Sequence, residues 1–295
     1  MDIVHHTLIG GAGLSIAAEM NQPIVGVAFI IGSIFPDLDV IFMIFGKRFY
    51  LRNHQGVTHS LILAPVFSAL LCLPLLWLLQ LEWDWFIYIG MLGGLAIHIT
   101  LDWFNTFRIA LFYPIIKSRY SLDAVFFIDS VLLTFTASFY LFYIYMDIKL
   151  MGFLYPVIFS SYCISKLYMH NKVIKRLKPL YAIPSSINPF EFYILEQNNN
   201  ILSGYLYNFL FKNKRSYQTY NSISTKHEKL ATTSTVYREI KLITRALTIT
   251  DVSKNEHGVI ITAADLAVRN FGGKFAKTIL KFDNHGNLID EMANI

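Results

Sequence analysis

Histidines and aspartates recur where an apolar chain has little use for them. His5 and His6 stand near the start, Asp37 and Asp39 in IFPDLD, and His54 and His59 in NHQGVTHSL. His98 and Asp102 follow in HITLD, and Asp129 in FFIDS. An Asp at the centre of a membrane helix costs roughly 2.5–3.5 kcal/mol on insertion scales, so repeated use of such groups points to chemistry. Imidazole together with carboxylate suits Zn, Mn or Fe, whereas an oxygen-only set suits Mg or Ca. His98 and Asp102 are spaced i, i+4 and share one helix face. Asp37 and Asp39 are spaced i, i+2 and cannot share one. Pro36 before them predicts a break that frees both carboxylates to turn inward. Gly56 permits a tight loop that brings His54 and His59 to one point. Each motif alone has an ordinary reading: a hydrogen-bonded HxxxD pair, a helix-ending PDLD turn, a headgroup loop, surface histidines. A proton relay would use the same residue types.

The elements that must position these groups are apolar. Of 295 residues, 54% are hydrophobic and 15% charged, and the mean hydropathy is +0.45. Soluble proteins average about 45–50% apolar and about 25% charged, so a purely soluble globule is not expected. Aromatic residues at 15% exclude disorder for most of the chain. Two cysteines, Cys72 and Cys163, both in apolar runs, exclude a disulfide scaffold. A crossing helix needs about 20 mostly apolar residues. On that basis six spans are predicted, near 5–20, 24–45, 60–80, 86–104, 126–146 and 150–167. The first is rich in glycine, which lets helices approach closely. MDIVHH has no basic region, so no cleaved signal peptide is expected. With six spans, the loops on one side hold one basic residue, Lys149, and those on the other hold eleven, from Lys47 to Lys178. The positive-inside rule then puts both termini, and all the His and Asp motifs, on the cytoplasmic side of the membrane.

The expected fold is therefore an α-helical membrane bundle of about six transmembrane helices with a small C-terminal α+β or mostly β soluble domain. The expected boundaries are 1–169 for the membrane domain, 170–189 for a basic linker and 190–295 for a cytoplasmic domain. Residues 1–165 carry 7 Lys and Arg against 10 Asp and Glu, while residues 166–295 carry 18 against 10. In the C-terminal part, 190–195 and 201–211 flank an Asn-rich turn at Gln197–Asn200 and read as a hairpin. Residues 235–247 have helical spacing. Strands are predicted at 248–250, 259–263, 278–282 and 287–289, the last two around a turn at Asp283–Gly286. His227, His257 and His285 are scattered and are not expected to function. The lysines form no concentrated stripe, so no nucleic acid is expected. Mild attraction to the anionic cytoplasmic leaflet is expected instead.

Four motifs, in order over residues 1–135, carry a resemblance: HTLIGGA, SIFPDLD, HQGVTHSL, and HITLDWFNT followed by LFYP. They resemble the YdjM-like family of membrane-bound metal-dependent hydrolases of bacterial inner membranes. The resemblance implies that His6, Asp37, Asp39, His54, His59, His98 and Asp102 are the metal or catalytic residues. His5 stands where a small polar residue is usual and ranks below His6. Asp129 resembles the Asp of an I-D-P element, with Ser130 in place of the proline. Arg108 stands where glycine is common. The family is placed near the zinc-dependent phospholipase C and P1-nuclease group, which suggests phosphoester hydrolysis by analogy.

The resulting expectation is a hydrolase holding one or two divalent ions, Zn first and Mn second. His6, His59, His98 and Asp102 would be ligands, with Asp37 or Asp39 completing the shell. Metal-bound water would reach a pKa of about 7. Asp39 or Asp129 would accept its proton, and His54 would be a ligand or an acid. Arg52, Arg108 and Arg119 are candidates to hold a phosphate. The expected partners are the bilayer and a lipid-linked or phosphoester substrate, with oligomeric state open. A proton- or metal-coupled transporter and a membrane-anchored interaction protein are the competing classes.

Overall fold

A computed structural model describes residues 3–145, 148–198, 201–220, 225–256, 258–271 and 277–294. His257 and the turn residues Asn199 and Asn200 lie outside the described residues. Helices α1 (Ile3–Glu19), α2 (Pro23–Ile34), α3 (Lys47–Asn53), α4 (Ala64–Leu79), α5 (Trp85–Phe104), α6 (Ser130–Tyr145) and α7 (Ile148–Leu177) precede the strands. The chain forms two compact units. The first holds residues 1–44, 53–168 and 186–189, and the second holds 45–52, 169–185 and 190–295.

In the first unit α2 starts with Pro23, whose missing N–H costs nothing at a helix start. Pro36 then cannot donate to the carbonyl four residues back. The chain tightens into a 3-10 helix over Phe35–Phe45. Helix α5 begins under an Asp84 cap, whose carboxylate accepts from the Phe86 N–H at 2.7 Å. Helices α2 and α5 pack backbone to backbone. A Cβ on Gly94 would lie 2.0 Å from the Phe29 carbonyl oxygen, and one on Gly32 would lie 2.2 Å from that of Met91. This is small-residue packing of the kind membrane helices use. Ala28, Met91, Leu95, Ile99 and Leu111 form the core around it. A second core joins Ile9, Leu101, Val125, Leu132, Phe139 and Phe159.

The span count differs from the expected six. Among the described residues two helical stretches are long and apolar enough to cross a bilayer, Pro23–Phe45 and Trp85–Phe104. A third arises if Arg48–His59 and Ala64–Leu79, bent by 89° at their break, make one crossing. The reason is length and composition. A hydrocarbon core is about 30 Å thick. The 17 residues of α1 and the 16 of α4 span only about 24–26 Å at about 1.5 Å per residue. The apolar part of α6 ends at Tyr143. Helix α7 has 30 residues but owes that length to a second half bearing Lys166, Lys172, Lys175 and Arg176. The eleven-to-one distribution of basic residues assumed six crossings and does not carry over in that form.

Among the described residues, the second unit contains two four-stranded antiparallel sheets in sequential order. One has β1 (Tyr181–Pro184), β2 (Glu191–Asn198), β3 (Ile201–Asn208) and β4 (Lys214–Tyr220). The other has β5 (Leu247–Asn255), β6 (Gly258–Asp265), β7 (Lys277–Phe282) and β8 (Leu288–Asn294). Between the sheets in sequence lie α8 (Thr225–Ala231) and α9 (Thr235–Ile243). Within the stretch expected as a linker, 170–189, the chain carries the end of α7 and strand β1. Leu51 of α3 is 1% exposed and packs with Tyr237, Ile240, Leu280 and Phe282. A segment from the N-terminal half thus belongs to this unit, and Arg48 beside it pairs with Glu291. Ser234 caps α9 by accepting from the Tyr237 N–H at 3.0 Å and also donates to Glu291 at 2.8 Å. Ser234→Ala is expected to lower stability by about 1 kcal/mol, read as a shift of the urea midpoint monitored on the C-terminal unit.

Candidate metal centre

Four side chains from three stretches of the first unit converge. Asp37, His59, His98 and Asp102 each offer one ligand atom, and these atoms lie within 4.8 Å of one another. Helix α5 supplies His98 and Asp102 from one face, with His98 Nε2 3.5 Å from Asp102 Oδ2. His59 Nε2 lies 3.1 Å from the same oxygen and 3.3 Å from His98 Nε2. Asp37 Oδ1 stands 3.7 Å from His98 Nε2 and 4.0 Å from His59 Nε2. His59, His98 and Asp102 are wholly buried, and Asp37 is 14% exposed at the rim.

The residues fit a cation. Ligand atoms about 2.1 Å from a tetrahedral Zn stand about 3.4 Å apart, close to the separations of the His59, His98 and Asp102 atoms. Tautomers agree as well. His98 Nδ1 lies 2.7 Å from the Ser33 carbonyl oxygen, which can only accept, so Nδ1 carries the proton and Nε2 presents a lone pair. His59 Nδ1 is 3.1 Å from Thr58 Oγ1, leaving its Nε2 free to turn to the cluster. Two lone pairs and a carboxylate oxygen facing one point repel unless a positive charge lies between them. The orienting hydrogen bonds on the far ring nitrogens are those that metal-binding imidazoles require.

The backbone makes these placements possible. The close α2–α5 approach carries the Ser33 carbonyl to His98. The 3-10 helix after Pro36 sends Asp37 and Asp39 in different directions. Asp39 Oδ1 accepts from His54 Nδ1 at 2.8 Å, and Asp39 Oδ2 accepts from the Gln55 N–H at 2.8 Å. The loop turns through Gln55, whose φ of 54° is left-handed, and Ala110 N–H donates to the Gln55 carbonyl at 3.0 Å. Gly56 is required beside it, since a Cβ there would meet the Asn53 carbonyl oxygen at 2.6 Å.

The other sequence candidates sort by position. His6 lies against the four, with Nε2 donating to Asp102 Oδ1 at 3.1 Å and its ring stacked 3.7 Å from that of His98. His5 is buried in α1 and is not one of the four. Asp39 and His54 form a pair beside the cluster. Asp129 is not one of the four: it caps α6 through the Val131 and Leu132 N–H groups, both at 3.1 Å, and accepts from Tyr162. Arg119 donates to the His54 carbonyl at 2.7 Å. Burial draws its guanidinium down to about 10, against the pull of the Asp39 carboxylate. Arg52 belongs to the second unit. Arg108 is half-buried in the irregular segment after α5. Ser33 and Thr58 escaped the sequence reading. Ser33 acts through a backbone carbonyl, which carries no signal in the sequence, and the Thr of THS resembles any loop threonine.

Apolar helices around a buried His–Asp cluster define a membrane protein with a possible metal site. The chain belongs to the YdjM inner membrane protein family, whose model matches residues 1–173. The chain is also similar to YfhP of Bacillus subtilis (strain 168), described as an uncharacterized protein. The two are 28% identical over 136 residues, 42% of this chain and 41% of that one. The match therefore spans less than half the length of that curated relative. No solved structure matches the chain.

Proposed function

We propose that the protein is an integral membrane metal-dependent hydrolase acting on a phosphoester or lipid-linked substrate. The observation that carries this reading is the convergence of Asp37, His59, His98 and Asp102 on one point, with ligand atoms within 4.8 Å. A divalent cation held there, Zn before Mn, would supply a Lewis acid and a bound water with a pKa near about 7. The chain's own groups do the rest. His6 orients Asp102 by donating to its outer oxygen. Asp39 holds the His54 proton on Nδ1, which leaves Nε2 to give or take a proton at the rim. The His54 side chain is 22% exposed and that of Asp37 14%, so substrate enters on their side. Arg119 keeps the His54 backbone in place and sets a positive charge beside Asp39.

Charge favours an orientation. Arg48, Arg52 and the net positive C-terminal part would face the cytoplasm under the positive-inside rule.

The test is elemental analysis of purified protein, paired with assays of generic phosphoesters and phospholipids in detergent with added Zn or Mn. Near-stoichiometric metal and turnover without sealed vesicles are expected. Metal-coupled uptake into proteoliposomes with no hydrolysis would instead establish a transporter, and no bound metal would reduce the protein to an anchor.

A further inference from the structure

Phe45 is the last residue of the first candidate span and, along the chain, the first residue of the second unit. One feature of that unit suits lipid. The turn between β3 and β4 carries Leu210 and Phe211, 52% and 78% exposed. They are held in place. Asn208 Oδ1 accepts from the Leu210 and Phe211 N–H groups at 3.0 and 3.1 Å, and the Asn208 carbonyl accepts from the Lys212 N–H at 2.9 Å. The preceding Phe209 packs onto the core of β2 and β3. A fixed turn that presents two large apolar side chains to water loses free energy there and regains it wherever they are buried.

The surroundings select the occupant. Lys212, Lys214 and Arg215 follow the tip, and no acidic residue occurs between Tyr205 and Tyr220. Lys214 meets Glu196 at 3.9 Å and Arg215 pairs with Glu191, both on β2. Lys212, next to Phe211, supplies the tip's own positive charge. Two apolar residues at a turn are far too small a patch for a stable protein interface, which covers about 800 Å² on each partner. They suit insertion just below the headgroups, with a cation left at the level of anionic lipid phosphates. We propose that the β3–β4 turn docks on an anionic phospholipid leaflet, inserting Leu210 and Phe211 with Lys212 at headgroup depth. This contact is independent of the metal site and of any hydrolysis.

The full-length chain tests it. Cys72 and Cys163 are both buried, so a Phe211→Cys variant can be spin-labelled selectively. The protein is reconstituted in nanodiscs of phosphatidylcholine alone or with phosphatidylglycerol. The readout is the label's accessibility to oxygen against a water-soluble nickel chelate. With phosphatidylglycerol, the oxygen-to-nickel ratio at 211 is expected to exceed severalfold that of a label at Tyr217, which is 67% exposed on the same hairpin. Adding Lys212→Glu lowers the ratio at 211 without altering the spectrum at 217. A label at 211 as open to nickel as that at 217 in both lipids overturns the proposal. So does a label shielded from both probes, which indicates a protein partner, and so does equal insertion in neutral and anionic discs.

Discussion

Asp102→Ala is expected to yield folded protein that retains no stoichiometric divalent metal, whereas His6→Ala weakens binding only about 10–100-fold. The difference follows from position. Asp102 Oδ2 lies within 3.5 Å of both His59 Nε2 and His98 Nε2, so its removal takes away the only full negative charge among the wholly buried members of the group. His6 touches only the other oxygen, Oδ1. Losing that hydrogen bond lets the carboxylate rotate but leaves the donor set intact. Thermal unfolding gives an independent measure. A ligand at about 1,000 times its Kd stabilises the folded state by about 4 kcal/mol. A chelator should therefore lower the melting temperature of the parent protein clearly, of His6→Ala in part, and of Asp102→Ala not at all. A chelator-sensitive Asp102→Ala protein that still carries metal would remove Asp102 from the site.

The legible parts of the site were those whose signal lies in spacing. The i, i+4 pair His98 and Asp102 is a helix-face statement, and its two side chains do meet at 3.5 Å. Pro36 marked the break in α2 because a missing N–H is visible in the letters. Asp129 read as a candidate proton acceptor, yet a carboxylate that caps a helix has the same letter as one that takes a proton, and only its neighbours separate the two. The span count failed for a related reason. Hydropathy records how apolar a stretch is, but neither where its helix stops nor whether its face meets lipid or another helix. Strand β6 was legible because its buried and partly exposed positions vary along the chain. Strand β4 was not, since KRSYQTY is exposed at nearly every position. Nothing in KRFYLRN announces that Leu51 completes the core of distant strands. One apolar residue in a basic heptad has no periodicity to read.

The second large effect concerns residues that never touch the site. Gly94→Leu is expected to prevent the first unit from folding around its metal, while Gly93→Ala is expected to be neutral or stabilising. The two glycines are adjacent on α5 but face different surroundings. A Cβ on Gly94 would stand 2.0 Å from the Phe29 carbonyl oxygen and 2.9 Å from the Ser33 nitrogen, whereas one on Gly93 meets only the Phe29 ring at 3.5 Å. The first contact is with backbone, which cannot swing aside. Helix α2 must retreat, and the Ser33 carbonyl goes with it. His98 then loses the acceptor that fixes its Nδ1 proton, and its Nε2 no longer presents a dedicated lone pair. Even Gly94→Ala should cost at least the about 1–3 kcal/mol usual for overpacking, and a leucine exceeds what a side-chain adjustment absorbs. At Gly93 the methyl group makes an ordinary contact, and alanine favours the helix by up to about 1 kcal/mol. Melting curves and metal content of the three variants decide the matter. Wild-type metal content in Gly94→Leu would show that the α2–α5 approach does not position the site.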